Sequence, residues 1–233
     1  MVTQSNNLSY TYNEFILKKC IILANGKASK KSVIQFLQRK NYSTLICADG
    51  GANQARKLSL TPDFIIGDLD SIKKQTTNFY KNKSKIIKQK RQNDTDVEKC
   101  LKFAIRKKFN EAILLGVTGN RLDHTFCNLG IVLKFFNKIK LRIIAENSIL
   151  TPYTGNIKLK THPNETVSLY GFDKKTKIKS KDLKYPLKNI SLPFGKKEST
   201  SNIALSNSLH LQVTGGIIFI IRDYQTVKRY DLL

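Results

Sequence analysis

Two aspartates, Asp68 and Asp70, follow the apolar run Phe64-Ile65-Ile66-Gly67 on alternate residues. In extended backbone, residues i and i+2 point to the same side. Both carboxylates can therefore face one point just past the end of a strand. Carboxylates this close repel unless a cation lies between them. A hard divalent ion with oxygen ligands, most naturally Mg²⁺, satisfies both. A polar surface turn with two solvated aspartates is the plainer explanation of residues 62–71 taken alone.

Three other stretches carry residues of the same kind. In Ala48-Asp49-Gly50-Gly51-Ala52-Asn53, two glycines between a strand and a helix let backbone N–H groups approach a phosphate or a sugar. A strand-to-helix turn with Asp49 as N-cap accounts for it equally. In Gln92-Asn93-Asp94-Thr95-Asp96-Val97-Glu98, Thr95 and Glu98 form a T-x-x-E capping box. Asp94 and Asp96 exceed what a cap requires and add negative charge at the same end of the sheet. In 116–124, Gly119-Asn120 tolerates left-handed backbone, and Arg121 offers a planar fork suited to phosphate oxygens. Asp123 opens a helix, at the least as its N-cap.

Strands and helices must alternate to position these stretches. Apolar runs predict strands over 19–24, 44–48, 64–67, 85–88, 112–115 and 141–145. Between them, Ser29 caps a helix running to Arg39 with Val33, Ile34, Phe36 and Leu37 buried. A short helix ends near Leu58, and 73–83 is a helix or surface loop. Val97, Leu101, Ala104 and Ile105 repeat at helical spacing. The helix from Asp123 to about Phe136 is apolar almost all round (Phe126, Leu129, Val132, Leu133, Phe136), hence central. After Ile149 the helical period vanishes, and β-rich segments appear at 157–159, 166–170, Ile178, 187–192, 203–205, 209–213 and 217–221. The expected architecture is an α/β domain, a parallel Rossmann-like sheet with flanking helices, followed by an all-β sandwich. The boundaries expected are a leader at 1–14, the α/β domain at 15–147 and the β-domain at 148–233. Ligands of such a parallel sheet sit at the C-terminal ends of its strands.

Composition narrows the class. The net charge of +24, from 41 Lys+Arg against 17 Asp+Glu, would attract polyanions. The lysines are spread along the chain, however, whereas a nucleic-acid footprint is clustered. A Lys/Asn/Ile compositional bias accounts for the charge, which would still steer an anionic substrate such as ATP. No specific nucleic-acid partner is expected. No apolar run is long enough to span a bilayer, and residues 1–13 lack a signal-peptide core. Cys20, Cys47, Cys100 and Cys127 sit in apolar stretches without C-x-x-C spacing, as expected of buried free thiols in the reducing cytoplasm. The scattered His124, His162 and His210 argue against zinc.

Taken in register, these stretches resemble the thiamine pyrophosphokinase (thiamine diphosphokinase) family. The carriers are 48–53, Gly67-Asp68-Leu69-Asp70-Ser71, Thr95-Asp96 and Gly116-x-x-Gly119-x-Arg121-x-Asp123-His124. Beyond the expected boundary come Leu183-Lys184-Tyr185-Pro186-Leu187 and Ser199-Thr200-Ser201-Asn202. The resemblance runs from about Ile21 to Asp223. It implies a homodimer with active sites at the subunit interface, transferring the pyrophosphoryl group of ATP to the hydroxyl of thiamine with release of AMP. It implies Asp68, Asp70 and Asp96 as Mg²⁺ ligands. Asp49, Gly50, Asn53, Gln92, Thr95, Thr118, Gly119, Arg121 and His124 would lie around ATP. Tyr185, Thr200, Ser201 and Asn202 would contact thiamine across the interface. Asp96 and Asp123 are both candidates for accepting the hydroxyl proton.

Three features depart from the family pattern. Asn93 stands where an aspartate is usual, Asp182 where a glycine is often found, and the chain has no tryptophan. Tyr185 or a phenylalanine is left to cover the thiamine ring. Two other classes compete. A haloacid dehalogenase-type phosphatase also uses D-x-D, but directly after its first strand, with Thr or Val where Ile72 stands here. A basic nucleic-acid-binding protein would show tight, steeply salt-dependent binding.

Overall fold

Short aliphatic runs build six parallel strands: β1 (Lys19–Leu23), β2 (Thr44–Ala48), β3 (Phe64–Gly67), β4 (Lys85–Lys88), β5 (Glu111–Leu115) and β6 (Lys140–Ala145). The computed structural model describes residues 17–27, 30–90, 93–119 and 121–233. The leader at 1–14, the Ser29 cap, Gln92 and Asn120 lie outside the described residues. The parallel strands run in the order β6-β5-β1-β2-β3-β4. Their side chains obey the period of two. Cys20, Ile22, Ile46 and Ile66 join one core, and Ile21, Leu23, Cys47 and Ile65 join the other.

Helices cover both faces. Helices α1 (Lys31–Arg39), α2 (Gly51–Lys57) and α3 (Lys74–Tyr80) pack on the second core. Helices α4 (Asp96–Arg106) and α5 (Leu122–Lys134) pack on the first. A sheet buried on both sides needs nearly continuous apolar strands, as β1, β2 and β3 are after their first residue, whereas the edge strand β4 keeps a lysine at each end.

The sheet then continues without a break into antiparallel strands. These are β7 (Ser148–Lys160), β8 (Thr166–Tyr170), β9 (Lys177–Lys181), β10 (Ser199–Ile203) and β11 (Ser208–Asp223), followed by helix α6 (Tyr224–Arg229). β7 pairs with β6, and the full order is β10-β8-β11-β7-β6-β5-β1-β2-β3-β4, with β9 on β11. The register of β11 breaks between Val213 and Ile218, so its first half pairs with β9 and its second with β8. Gly215 sits in that break at φ 80°, where a Cβ would lie 2.6 Å from the Lys175 carbonyl oxygen. A third core, with Val167, Leu169, Ile178, Leu211 and Ile220, fills this half.

Several elements differ from expectation. The segments expected at 209–213 and 217–221 are one strand, because the bulge bends the ladder without ending it. Residues 187–192 form no strand; Ile190 makes only a bridge to Ile178. Helix α5 is not central. Its first turns extend past the core, leaving Leu122 69% and Phe126 57% exposed, and burial begins only at Asn128. Arg121, not Asp123, is its N-cap residue, and no side chain caps it. Cys127, on the same part of α5, is exposed, while the other three thiols are buried.

Candidate active site

The acidic residues converge at the C-terminal ends of β2 and β3. Asp49 follows β2 in left-handed backbone (φ 40°) and is 1% exposed. Gly67 ends β3 against it: a Cβ there would lie 2.6 Å from the Asp49 Cβ, so only glycine lets the aspartate enter. The Ser71 N–H donates to Asp49 Oδ2 at 3.2 Å. Asp49 Oδ1 is buried and has no hydrogen-bond partner.

Asp49, Asp68 and Asp96 each bring a carboxylate oxygen within 4.8 Å of the others. Asp96 belongs to the first turn of α4, whose capping box is complete: the Glu98 N–H donates to Thr95 Oγ1 at 3.3 Å and the Thr95 N–H to Glu98 Oε2 at 3.0 Å. Leu69, at φ 69°, turns the chain so that the Asp70 N–H reaches back to Asp68 Oδ1 at 3.4 Å. The Asp70 carboxylate accepts from Ser71 Oγ at 2.9 Å and interacts with Asp49, so it stands beside the trio. Burial, reinforced by the nearby Asp96 and Asp70, pushes the Asp49 carboxyl up to about 6, against the Ser71 bond that lowers it.

Lys99 completes the cluster. It is 4% exposed, with Nζ 2.8 Å from Asp96 Oδ1 and 3.7 Å from Asp68 Oδ2. Burial works to lower its pKa, but the bond to Asp96 and the surrounding carboxylates raise it above the ordinary lysine value. Spacing in the sequence held Lys99, which the sequence analysis did not single out, and the place of Asp49, which it expected around ATP. Lys99 lies at i+3 from Asp96 on one helix face, and Asp49 ends the strand next to β3.

The remaining expected site residues are placed as follows. Asn53 ties α2 to the acidic loop, donating to the Ser71 carbonyl at 2.9 Å and accepting from the Lys73 N–H at 3.0 Å. Gly50 is the N-cap of α2. The Thr118 carbonyl accepts from the Lys27 N–H at 2.9 Å, and Gly119 adopts φ 141°. Arg121 and Asp123 pair with each other, Nη2 to Oδ2 at 2.5 Å and Nε to Oδ1 at 3.2 Å, and both are largely exposed. The bond from Arg121 holds the Asp123 carboxyl down to about 2. His124 is exposed beside them. Asp123 is thus outside the carboxylate trio.

Thr200, Ser201 and Asn202 lie on β10, eight strand places from β3, and Asn202 ties the Tyr185 backbone to it. Tyr185 is 60% exposed. Asn202 is buried and uses its whole amide. Oδ1 accepts from the Tyr185 and Ile203 N–H groups, and Nδ2 donates to the Tyr185 carbonyl and to Ser199 Oγ. Thr200 Oγ1 lies 3.2 Å from the Tyr170 hydroxyl. Ser201 sits at φ 55° where the β10 register shifts, with its N–H bound to Ser168 Oγ and its side chain exposed.

Residues 37–145 match the family model for the thiamin pyrophosphokinase catalytic domain, and residues 154–218 match that for the thiamin pyrophosphokinase vitamin B1 binding domain. A Caenorhabditis elegans protein, thiamin pyrophosphokinase 1, is 30% identical over 203 residues, spanning 81% of this chain and 82% of its own. The chain belongs to the thiamin pyrophosphokinase family. Solved structures of that family share its fold. The Bacillus subtilis thiamine pyrophosphokinase superposes with a TM-score of 0.76 at 23% identity, covering 88% of this chain and 99% of that one. The Candida albicans enzyme gives 0.75 at 21% identity, covering 88% of each. The thiamin pyrophosphokinase fold accounts for the mixed sheet and its two-part arrangement.

Proposed function

We propose that this protein catalyses ATP-dependent pyrophosphoryl transfer to the hydroxyl of thiamine, giving thiamine diphosphate and AMP. The observation that carries the reading is the carboxylate trio, one member of which, Asp49, keeps a buried Oδ1 without a hydrogen-bond partner. A buried acceptor without a donor costs about 1–3 kcal/mol, and a cation removes that cost. Oxygen donors only, gathered this tightly, fit Mg²⁺. Asp49, Asp68 and Asp96 would hold it, with Asp70 at their side. The ion supplies neutralisation of triphosphate charge, the main requirement of phosphoryl-type transfer.

The chain's own residues do the rest. Arg121, exposed on its loop, exchanges Asp123 for phosphate oxygens when ATP arrives. Asp123 is a poor proton acceptor while Arg121 holds it near 2, and Asp96 is engaged by Lys99. Gly50, Asn53, Thr95, Thr118, Gly119 and His124 line or shape the nucleotide side, and Gln92 is assigned there by resemblance alone. On the thiamine side, Tyr185 and Ser201 present exposed side chains, whereas Asn202 and Thr200 are committed within the chain.

Strand order supports a homodimer with shared sites. Eight places at about 4.8 Å put β10 roughly 38 Å from β3 along the sheet. If both sets serve one reaction, they come from different copies. A Rossmann-like α/β domain ending near 147 and a β-sandwich from 148 suit the parallel strand order and the third, separate core. Among the described residues no helix is long and apolar enough to cross a membrane. Cys20, Cys47 and Cys100 are buried free thiols, which suits a reducing, cytoplasmic setting.

The test is incubation with ATP, Mg²⁺ and thiamine. AMP and thiamine diphosphate are the expected products; ADP would identify a simple kinase and overturn the mechanism. A second measurement probes the thiamine side. Asn202→Ala strips hydrogen bonds from the Tyr185 backbone, so it should cost about 1–3 kcal/mol of stability and raise KM for thiamine while leaving KM for ATP unchanged. Steady-state kinetics and thermal unfolding check both parts.

A further inference from the structure

Lys99 enters the proposed reaction only as the partner of Asp96, yet its position is unusual. A lysine is almost never fully buried unless it is paired. This one is 4% exposed and points its ammonium at two of the three carboxylates offered to the metal, 2.8 Å from Asp96 and 3.7 Å from Asp68. It lies one helical turn into α4, so its backbone is fixed by the capped helix. The ammonium therefore cannot leave the cluster by a loop movement.

Resting on the metal reading just given, we infer that Lys99 is a built-in counter-charge that weakens the site for a bare divalent cation and so makes the cation enter together with the nucleotide. Without it, three carboxylates crowd within 4.8 Å and would capture any free divalent ion strongly. With it, one positive charge already satisfies part of the negative field, and an incoming ion is repelled at close range. A triphosphate reverses the balance, because its negative charge is attracted to Lys99 and the ion alike. Mg²⁺ bound to ATP therefore gains where Mg²⁺ alone does not. Asp70, in contact with Asp49, adds to the same acidic field and makes the need for a resident cation greater.

The test is a Mn²⁺ titration of the full-length protein, followed by electron paramagnetic resonance without substrate. Lys99→Met removes the charge and keeps the length; Lys99→Arg keeps the charge; Lys99→Gln guards against a packing effect peculiar to methionine. Lys99→Met and Lys99→Gln should bind Mn²⁺ on the order of tenfold tighter than the unaltered protein, and Lys99→Arg should match the unaltered protein. Adding α,β-methylene ATP, which resists the cleavage that releases AMP, should strengthen Mn²⁺ binding to the unaltered protein more than to Lys99→Met. Mn²⁺ should also raise the unfolding temperature of Lys99→Met more. A merely structural lysine would give weaker or equal Mn²⁺ binding on removal, and either result overturns the inference. If the unaltered protein binds no Mn²⁺ even with the nucleotide analogue, the metal reading itself fails. If it binds Mn²⁺ but makes no thiamine diphosphate, only the assigned reaction fails.

Discussion

Asp68→Asn should lower thiamine-dependent AMP release about a thousandfold or more, the scale expected when charge stabilisation at a reacting phosphate is lost. The same change should leave the unfolding temperature unchanged or raise it. The amide keeps the volume and the Oδ1 acceptor that receives the Asp70 N–H at 3.4 Å. It removes one of three negative charges packed within 4.8 Å, a relief of repulsion that offsets the loss of one partner, at 3.7 Å, of the buried Lys99, which keeps Asp96. Activity is therefore lost without a matching loss of stability, which a purely structural role for Asp68 would not produce. Asp70→Asn is a useful companion. Its carboxylate stands beside the trio, bonded to Ser71 and against Asp49, so its loss should act through Asp49 and cost less than the loss of Asp68. Initial rates across a Mg²⁺ series and thermal unfolding decide both. Full activity in Asp68→Asn would remove the metal assignment.

The alternating half of the fold was legible because burial on both faces leaves little choice of residue. Strands such as Ile65-Ile66 and Leu114-Leu115 are apolar throughout, and the T-x-x-E box marks the start of α4 within a residue. The β-half was less legible. Its edges are half-exposed, and a strand such as β10, Ser199–Ile203, carries no apolar alternation to reveal it. The bulge that makes β11 one strand depends on Gly215 and Gly216 fitting against 175–176, a contact between distant segments. Helix α5 misled for a related reason. Apolar residues all round normally mean a central helix, but Leu122 and Phe126 are left uncovered by this chain. In the site, the D-x-D spacing pointed to the strand end where Asp49, Asp68 and Asp96 converge, but spacing along one strand cannot show which neighbouring strand end meets it. That is why Asp49 was expected around ATP rather than beside Asp68. Likewise, the reach of Asn202 to Tyr185 is a cross-segment contact, and only coordinates reveal that its amide is fully used.

The largest stability effect is expected at Arg222. Its guanidinium holds Glu165 with two bonds, Nε to Oε1 at 2.5 Å and Nη2 to Oε2 at 2.9 Å, and Nη2 also donates to the Lys160 carbonyl. The Glu165 side chain is fully buried and that of Arg222 nearly so. Arg222→Met would strand the carboxylate without its partner, and breaking a buried pair in this way costs about 3–5 kcal/mol. For a chain of this size that corresponds to a fall in unfolding temperature of roughly 6–20 °C. The double variant Arg222→Met/Glu165→Leu should recover most of the loss, because neither charge is then left buried. The pair also has a place in the site. Glu165 accepts the Ala204 N–H through its backbone and the His162 N–H through its side chain, so it anchors the segment that continues from β10. Arg222→Met should therefore raise KM for thiamine, which β10 is proposed to meet, with little change in Mn²⁺ binding at the distant acidic trio. Equal damage to both would mean that the two halves of the sheet unfold as one unit; damage confined to thiamine would mean that the β-half loosens by itself.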